Sequence, residues 1–575
     1  MAPDAPTPRS DRERSSRRRL ARRYGPLAVV LTVLLLAAVV ATVRGPGEQA
    51  AAGAKVAPTG ESQKVPLTYA QALADGSYAD VEWGDDCDLR TGRLKIPSVY
   101  SPPCVPRLDG DNGGSTSIGV TEDTIKIVVY RAAAGSDLLA ALQGMSDTPE
   151  DVATTRTAYL AMLQELYETY GRTVELVDFE GSGPADDPVA GKADAIKVAE
   201  EIKPFASLGG PGITSTYAEE LAARGIVCIG CTAAVPDALA QDLAPYFWGL
   251  TPSPEQFVQI VGEYVSRRLL GRKAEHAGPA LRDEDRVFGV IHFEQDPPVF
   301  TGVTEAAEAI GETIGYETKV TETYTLDIPK MPERAAAMIA KMKAEGVTTI
   351  MFLGDPLMPG ALTSAATAQG YEPEWIVTGT VFTDTTVFGR TYDQSQWAHA
   401  FGLSNLAGRV PQEQQEAYRL HQWFYGEPPV AARNSGVIYP PLFMLMMGIQ
   451  LAGPDLTATT FRDGLFNYPP SGGGPTTPQI SFGDHGYFPT PDYFLIDDAT
   501  EIWWDADLSG PDEQGSNGTG MWSYAQRGMR YLPGEMPVAP PDVFGTKDVI
   551  SVFEGDLITP EDTPPDYGER YEPPR

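Results

Sequence analysis

The feature that most limits the possible folds of this chain is an alternation of short apolar runs and amphipathic stretches that begins at Ile118. A first series predicts strands at Ile125 to Tyr130 and Val174 to Phe179, each followed by a helix. A second series begins after Gly271 and repeats strand and helix from Val287 to Thr378. Two such series predict an α/β fold of two doubly wound, mostly parallel-sheet lobes. We expect the cleft between the lobes to be the ligand site.

The stretch from Phe205 to Pro236 contains the most informative turn of the first series. A glycine loop, Gly209-Gly210-Pro211-Gly212, follows a short apolar run, and its missing side chains let backbone or ligand approach closely. Thr216 and Glu219 have the spacing of a capping box, so a helix is predicted to start there and to end at Gly225.

Three hydroxyl side chains, those of Thr214, Ser215 and Thr216, precede or open this helix. A helix N-terminus carries a partial positive charge, and together with hydroxyls and backbone N–H groups it favours a small anion such as a carboxylate. An ordinary βα turn with a well-capped helix is the alternative, and this stretch alone leaves it open.

Length and charge narrow the class of protein. At about 150 residues per domain, the 575 residues suggest three or four structural units. The formal net charge of -34 argues against nucleic acid or an anionic membrane surface as a partner of the folded part.

The N-terminus has the opposite charge and an apolar segment. Eight arginines fall within the first 24 residues, and Leu27 to Val43 is a run of 17 uncharged residues. This run is short for a transmembrane helix and long for the core of a signal peptide. The arginines on its N-terminal side predict a cytoplasmic N-terminus. We therefore predict one N-terminal transmembrane helix that anchors an extracytoplasmic protein, with secretion after signal cleavage as the alternative.

Four cysteines in an exported chain favour disulfides. Cys87 and Cys104 bracket a polar loop with little hydrophobicity of its own, and a disulfide there would stabilise the fold by about 3 kcal/mol. Cys228 and Cys231 are compatible with a tight disulfide, a redox pair or two separate thiols. They form a poor zinc site, because no second Cys or His pair has ligand spacing.

The sequence contains no enzyme signature that we recognise. A G-x-S-x-G elbow, an HExxH zinc pair and a phosphate-binding G-x-x-x-x-G-K-[ST] loop are all absent. The five histidines are scattered and none is paired with a Cys or an acid at ligand spacing. We therefore predict a protein that is not an enzyme and that carries no cofactor and no metal.

Several segments of the two series resemble one protein family. They are Ser117 to Thr121, Ser207 to Ala234, Val287 to Gly302 and Ala335 to Tyr371, in this order. The chain resembles the type I periplasmic binding proteins of the branched-chain amino acid family over roughly Ile118 to Asp505. The resemblance implies two α/β lobes that are joined by crossover strands and close on a small ligand. It also implies a binding protein that serves an ABC importer.

In the first lobe, the resemblance implies two groups of ligand contacts. Thr214 and Ser215 would supply hydroxyl and N–H donors to a ligand carboxylate. Cys231 and Thr232 would supply a second contact, in place of the small residue followed by threonine that is usual in the family.

In the second lobe, the resemblance places the ligand-stacking tyrosine of the family near Phe300, which keeps the ring and lacks the hydroxyl. Asp355 lies roughly where the family has another aromatic contact. Thr380 stands at about the position of the acid that binds the ligand ammonium group, and this departure weakens the expectation of an α-amino acid ligand. Asp296, Asp355 or Asp384 would be a substitute negative charge, with a solvated loop acid as the alternative for each.

The function expected from these features is capture of a small polar ligand between the lobes, either an amino acid, an amide or a carboxylate, with a possible ABC permease as partner. A membrane-anchored sensor or scaffold with the same fold and no transport role is the alternative. The predicted segments are a basic cytoplasmic tail (1–26), the membrane segment (27–43), a linker with the disulfide-containing extension (44–117), lobe I (118–250 plus 383–470), lobe II (251–382 plus 471–507) and a Pro-rich C-terminal wrap and tail (508–575).

Overall fold

The computed structural model describes residues 65–108, 110–133, 146–232, 235–294, 311, 318–555 and 571–574. The predicted cytoplasmic tail, the predicted membrane segment and the linker up to residue 64 lie outside the described residues. Phe300, Asp296 and, apart from Gly311, the helix predicted from Thr301 to Ile314 also lie outside them.

The extension that precedes the first lobe has secondary structure of its own. It starts with helix α1 (Tyr69–Asp75), whose capping box joins Thr68 and Gln71. A short antiparallel pair follows, made of β1 (Cys87–Asp88) and β2 (Arg93–Leu94).

The predicted disulfide between Cys87 and Cys104 closes this extension. Leu94 and Ile96, which lie inside the disulfide loop, are buried in the apolar core of the first lobe. The extension is therefore held by apolar burial as well as by the disulfide, and it packs as a part of lobe I.

The first strand–helix series forms the sheet of lobe I. Its elements are β3 (Thr124–Arg131), α2 (Pro149–Leu166), β4 (Thr173–Glu180), α3 (Pro188–Lys197), β5 (Ala206–Leu208), α4 (Thr216–Ala223), β6 (Val227–Ile229), α5 (Asp237–Leu243) and β7 (Phe247–Trp248). The five strands are parallel in the order β4-β3-β5-β6-β7. Ile125, Ile127 and Val128 of β3 are fully buried, because helices cover both faces of a parallel sheet.

The second series forms lobe II. Its elements are α6 (Pro254–Tyr264), β8 (Phe288–Phe293), β9 (Val320–Tyr324), α7 (Met331–Ala344), β10 (Thr349–Leu353), α8 (Met358–Ala368), β11 (Glu374–Val377), α9 (Thr386–Gly389), α10 (Gln394–Trp397) and β12 (Ala400–Ser404). Its strands are also parallel to one another. Val198–Ile202 and Val265–Leu269 continue α3 and α6 as π-helical turns.

The chain then returns to lobe I with three helices: α11 (Glu416–Tyr425), α12 (Ser435–Ala452) and α13 (Ala458–Phe466). Among the described residues, α12 is the one helix long and apolar enough to cross a membrane. Most of its side chains are buried in the core of lobe I, and a helix that is apolar all round is typical of such a position.

Three antiparallel strands complete lobe II: β13 (Ala499–Pro511), β14 (Asn517–Tyr524) and β15 (Arg530–Tyr531). The sheet runs in the order β14-β13-β12-β11-β10-β8-β9, with β15 beside β13. Tyr524, Tyr531 and Met536 are buried in the core of this lobe. At the far end of the chain, Tyr571 donates a hydrogen bond to Asp88 of the extension.

The division into lobes differs from the predicted one in three places. Strand β12 belongs to the sheet of lobe II, although 383–470 was predicted in lobe I. Ile480, Phe482 and Tyr493 lie in the core of lobe I, although 471–507 was predicted in lobe II. The predicted wrap, 508–575, contributes the end of β13 and all of β14 and β15 to the sheet of lobe II.

The physical reason for the first difference is visible at Gly402. A Cβ at this position would lie 2.0 Å from the carbonyl oxygen of Val377 in β11. The glycine allows β11 and β12 to approach closely. In the sequence it interrupts an apolar run, so β12 is not recognised as a strand. Strand β13 pairs with β12 about 100 residues earlier in the chain, and local patterns do not report such a distant pairing.

Three segments connect the lobes: 249–253 after β7, 405–415 after β12 and 496–498 before β13. These three crossovers agree with the two-lobed arrangement that the family resemblance implied. In each sheet, the edge at the carboxyl ends of the parallel strands is then available for a ligand.

The opposite edge of lobe II is closed by a buried ion pair between Arg286 and Glu374. The guanidinium donates two hydrogen bonds to the carboxylate, at 2.8 and 2.9 Å. Thr349 and the backbone N–H of His276 also donate to Glu374. Both charged side chains are completely buried, so each depends on the other for compensation of its charge.

We predict that Arg286→Met lowers the free energy of unfolding by about 3–5 kcal/mol, because Glu374 would remain buried without a cation. Urea denaturation of the purified protein measures this loss. The control is Lys273→Met, which removes the exposed ion pair with Asp285 and should change the free energy of unfolding far less, because solvent screens exposed charges. A small, equal loss in both variants would contradict the prediction.

Candidate functional site

The carboxyl edge of the lobe I sheet is formed by the loops that follow β5 and β6. Gly212 and Thr232 form a parallel bridge between the two loops. A Cβ on Gly210 would lie 2.4 Å from the carbonyl oxygen of Cys231. The glycine loop is therefore required for the close packing of these two loops, as well as for any approach of a ligand.

Helix α4 starts at Thr216, where the sequence predicted a helix start, but the predicted capping box is absent. Ser215 occupies the N-cap position, and its hydroxyl donates to the Glu219 carboxylate at 2.7 Å. The Thr216 hydroxyl instead donates to the carbonyl oxygen of Pro188 at 2.9 Å. Ser215 and Thr216 are both suitable N-cap residues. The sequence pattern predicted Thr216 as the N-cap, one position after the observed one.

The two predicted carboxylate donors lie together at this N-terminus. Thr214 and Ser215 are both buried. The backbone N–H of Thr214 donates to the carbonyl oxygen of Ala185 at 3.3 Å, so this donor is already engaged. The Thr214 hydroxyl lies 3.1 Å from the Thr216 hydroxyl. The arrangement presents hydroxyls and the positive end of a helix at one edge.

Cys231 and Thr232 occupy the neighbouring loop. Cys231 is bonded to Cys228 in a second disulfide and its side chain is fully buried, so only its backbone can meet a ligand. The Thr232 hydroxyl donates to the carbonyl oxygen of Gly212 at 3.4 Å. The tight disulfide was one of three alternatives that the sequence left open.

In lobe II, Asp355 supports the start of helix α8. Its carboxylate accepts hydrogen bonds from the backbone N–H groups of Leu357 and Met358, at 2.8 and 3.1 Å. The Tyr324 hydroxyl donates to the same carboxylate. Burial raises the pKa of Asp355. These contacts give Asp355 a structural role at the carboxyl edge of β10.

Thr380 connects the loops that follow β10 and β11. Its hydroxyl accepts a hydrogen bond from the backbone N–H of Gly354 at 3.0 Å and lies 3.2 Å from the Thr378 hydroxyl. Thr380 is buried. The residue at the position of the family's ammonium-binding acid is thus a neutral side chain that holds two loops together.

Asp384 and Asn405 lie at the same edge of lobe II. The Ser404 hydroxyl donates to Asp384 at 2.5 Å, and burial raises the pKa of Asp384 to about 6. The second carboxylate oxygen of Asp384 and both side-chain polar atoms of Asn405 have no hydrogen-bond partner among the described residues. Sequence reasoning considered Asp384 and missed Asn405, because its importance depends on a crossover that no local pattern indicates.

The two lobes meet close to these edges. Ile213 of the lobe I loop packs against the apolar core of lobe II. At the junction, the Gln256 side chain donates to Asp492 at 2.8 Å, and the backbone N–H of Asp237 donates to Glu255 at 3.1 Å. The loop with Thr214 and Ser215 therefore faces lobe II.

Arg530 fastens two of the crossovers to each other. It forms an ion pair with Asp498 at 2.9 Å, just before β13. It also donates to the backbone carbonyl oxygens of Asn405 and Leu406, at 3.0 and 2.8 Å, just after β12. Arg530 and Asp498 are both buried, so the ion pair joins two of the three crossovers; we call this junction the hinge.

Asp497 adds an uncompensated buried acid to this hinge. One carboxylate oxygen accepts hydrogen bonds from Ser481 and Gln479, while the other has no partner among the described residues. Burial, with a smaller effect of the Asp498 charge, raises the pKa of Asp497 to about 7. Across the described part of the chain, no group of three or more His, Cys, Asp or Glu residues is arranged to hold a metal ion.

Comparison with known proteins gives matches among solved structures. No family model matches the chain, and no curated protein matches it significantly. The structure of LivJ from Streptococcus pneumoniae, a branched-chain amino acid transporter substrate-binding protein in complex with isoleucine, is 15% identical, covers 70% of this chain and 100% of its own, and has a TM-score of 0.45.

Two further structures are of the same class. A solute-binding protein of an ABC transporter from R. palustris, in complex with 4-hydroxybenzoate, is 13% identical over 69% of this chain and 97% of its own, with a TM-score of 0.47. A fatty acid ABC transporter substrate-binding protein from Thermomonospora curvata is 15% identical over 75% of this chain and 99% of its own, with a TM-score of 0.46. All three are substrate- or solute-binding proteins of transporters.

We predict that the free energy of unfolding falls as the pH rises from about 4 to about 8, in part because of Asp497. Its pKa rises on folding from 3.8 to about 7. Its stabilising contribution is therefore complete below pH 4 and is lost as the pH rises through about 7.

Asp497→Asn should flatten this dependence by on the order of 1 kcal/mol or more between pH 4.5 and pH 8, measured by urea denaturation. Asp283→Asn, at an exposed loop position, is the matched control and should keep the dependence of the wild type. The same pH dependence in all three proteins would show that Asp497 does not titrate as argued.

Proposed function

We propose that the protein is an extracytoplasmic solute-binding protein that captures a small polar ligand between its two lobes. The observation that carries the proposal is the edge of lobe I, where a glycine loop brings the hydroxyls of Thr214, Ser215 and Thr232 to the N-terminus of α4. The same loop meets the apolar core of lobe II through Ile213. A ligand held at this edge lies within reach of both lobes.

The ligand group that fits lobe I is a carboxylate or another small anion. The first turn of α4 has backbone N–H groups without intrahelical acceptors, and the helix dipole favours negative charge there. The Ser215 hydroxyl now donates to Glu219, an exposed carboxylate on the same helix. A bound ligand carboxylate would replace Glu219 as the acceptor.

Capture follows from movement at the three crossovers. A ligand that touches lobe I alone has no differential affinity for the closed form, so it cannot shift the equilibrium. Closure is favoured when the ligand also contacts the lobe II edge formed by the loops after β10 and β11. The hinge at Arg530 and Asp498 keeps the crossovers together while the lobes move.

The cellular setting belongs to the same proposal. The arginine-rich start and the apolar run from Leu27 to Val43 support an anchor with the two lobes outside the cytoplasm. The family resemblance of the sequence supports delivery of the ligand to an ABC permease, and thus a role in import.

We predict that a small carboxylate, amino acid or amide raises the melting temperature of the full-length protein. At a ligand concentration of about 100 times the dissociation constant, the stabilisation is roughly 2.7 kcal/mol. Ser215→Ala and Thr232→Val should each weaken binding by about tenfold, because each removes a hydroxyl donor to a charged group. Thermal-shift titration with amino acids, amides, short carboxylates, polyamines and nucleosides measures both effects.

The matched control is Ser364→Ala, which removes an exposed hydroxyl on α8 that donates to Gly360 and lies away from the lobe I edge. Binding that is lost in Ser215→Ala and retained in Ser364→Ala supports the site. A folded protein that responds to no compound in the panel would count against transport and would favour a membrane-anchored sensor or scaffold.

A further inference from the structure

The turn that follows β11 exposes an aromatic ring at the carboxyl edge of lobe II. Phe382 is 47% exposed. Among the described residues from Pro254 to Ser404, it is the one large apolar side chain that is exposed. An exposed phenylalanine at a sheet edge that faces a second lobe is available to a ligand.

The backbone at this turn is strained. Val381 has φ 40° and ψ 59°, and Phe382 has φ 61°. Both lie in the left-handed region, which β-branched and bulky residues rarely adopt. Such conformations cost free energy and persist only where the surrounding structure imposes them, as it often does at ligand-binding positions.

Threonine hydrogen bonds impose the conformation here. The backbone N–H and the hydroxyl of Thr383 both donate to the carbonyl oxygen of Thr380, at 3.0 and 2.7 Å. The backbone N–H and the hydroxyl of Thr385 both donate to the carbonyl oxygen of Phe382, at 3.1 and 2.8 Å. Thr380 is itself tied to Gly354, so the ring is presented by a fixed turn.

Polar groups without partners accompany the ring. Asp384, two residues after Phe382, is 5% exposed and Asn405 is 3% exposed. One carboxylate oxygen of Asp384 and both polar side-chain atoms of Asn405 have no hydrogen-bond partner among the described residues. Buried polar atoms are nearly always paired, so these atoms mark a place where a polar group of a ligand is accommodated. The Asp384 and Asn405 oxygens accept from N–H or O–H groups, and the Asn405 amide nitrogen donates.

We propose that the turn 379–384 determines the ligand specificity of lobe II and selects carboxylates that carry an aromatic ring. Phe382 is the aromatic platform on which the ring stacks, and Asp384 with Asn405 accepts an N–H or O–H group carried by the ring. The carboxylate of the ligand then binds at the N-terminus of α4 in lobe I. This inference rests on the proposed function and names the ligand class of the same site.

Isothermal titration calorimetry of the full-length protein with two matched pairs tests the inference. The pairs are 4-hydroxybenzoate against acetate and L-tyrosine against L-alanine, which differ by the hydroxylated ring. The ring compound of at least one pair should bind about tenfold or more tightly than its aliphatic partner, as expected for a stacked and buried ring. Phe382→Ala should remove this preference and leave the affinity for the aliphatic partner within about twofold.

Two variants serve as controls. Phe382→Tyr keeps the ring and should keep the preference. Leu73→Ala removes an apolar side chain of similar exposure, 53%, from helix α1 of the extension and should change neither affinity. Val381→Gly relieves the left-handed strain, so it should raise the melting temperature without ligand and weaken ring binding together.

The outcomes separate the two proposals. If the wild type binds the aliphatic compounds as tightly as the ring compounds, or if Phe382→Ala leaves ring binding unchanged, the reading of Phe382 is wrong while solute capture stands. If Phe382→Ala lowers the affinity for all compounds equally, the Phe382 ring contributes to lobe closure and not to ligand selection. This result would also overturn the inference. If no compound of the pairs or of the wider panel binds, the proposed function fails and this inference fails with it.

Discussion

The buried contact between Arg530 and the crossover segments is the interaction on which the two-lobed arrangement depends. One guanidinium pairs with Asp498 before β13 and donates to the backbone of Asn405 and Leu406 after β12. The chain therefore passes between the lobes through segments that are linked to each other as well as to the sheets. A buried charge is costly without its partner, so this ion pair favours keeping the two crossovers together. Burial raises the pKa of Asp497, beside this contact, to about 7, so the charge of this segment changes near neutral pH.

Three of the side chains at the two facing edges are already engaged in internal hydrogen bonds. Ser215 donates to Glu219, Thr232 donates to Gly212, and Asp355 accepts from the first turn of α8. A ligand that binds here exchanges hydrogen bonds, and the net gain from such an exchange is small compared with the strength of an isolated bond. Affinity must then come from charge at the helix N-terminus and from apolar contact, which is what the exposed ring of Phe382 offers.

Local patterns in the sequence were sufficient for the parts of the fold that depend on neighbours in the chain. The strand–helix alternation, the start of α4 at Thr216 and the disulfide between Cys87 and Cys104 all belong to this group. Strand β12 was missed because Gly402 interrupts its apolar run, and β14 and β15 were missed because their Pro- and Gly-rich segment was interpreted as a wrap. At the site, the sequence indicated which residue types are present, but it did not predict the role of each residue. Asp355 is an acid that supports a helix, and Asn405 is important only because a crossover begins there.

The extension with the Cys87–Cys104 disulfide has a mechanical consequence. Its apolar residues are part of the core of lobe I, and a covalent bond closes its loop. Tension applied to the chain at residue 65 is therefore transmitted into lobe I and does not load the crossovers. In the proposed capture mechanism, opening and closing are therefore insensitive to a pull on the N-terminal side, and the free energy of closure depends on the ligand in the cleft.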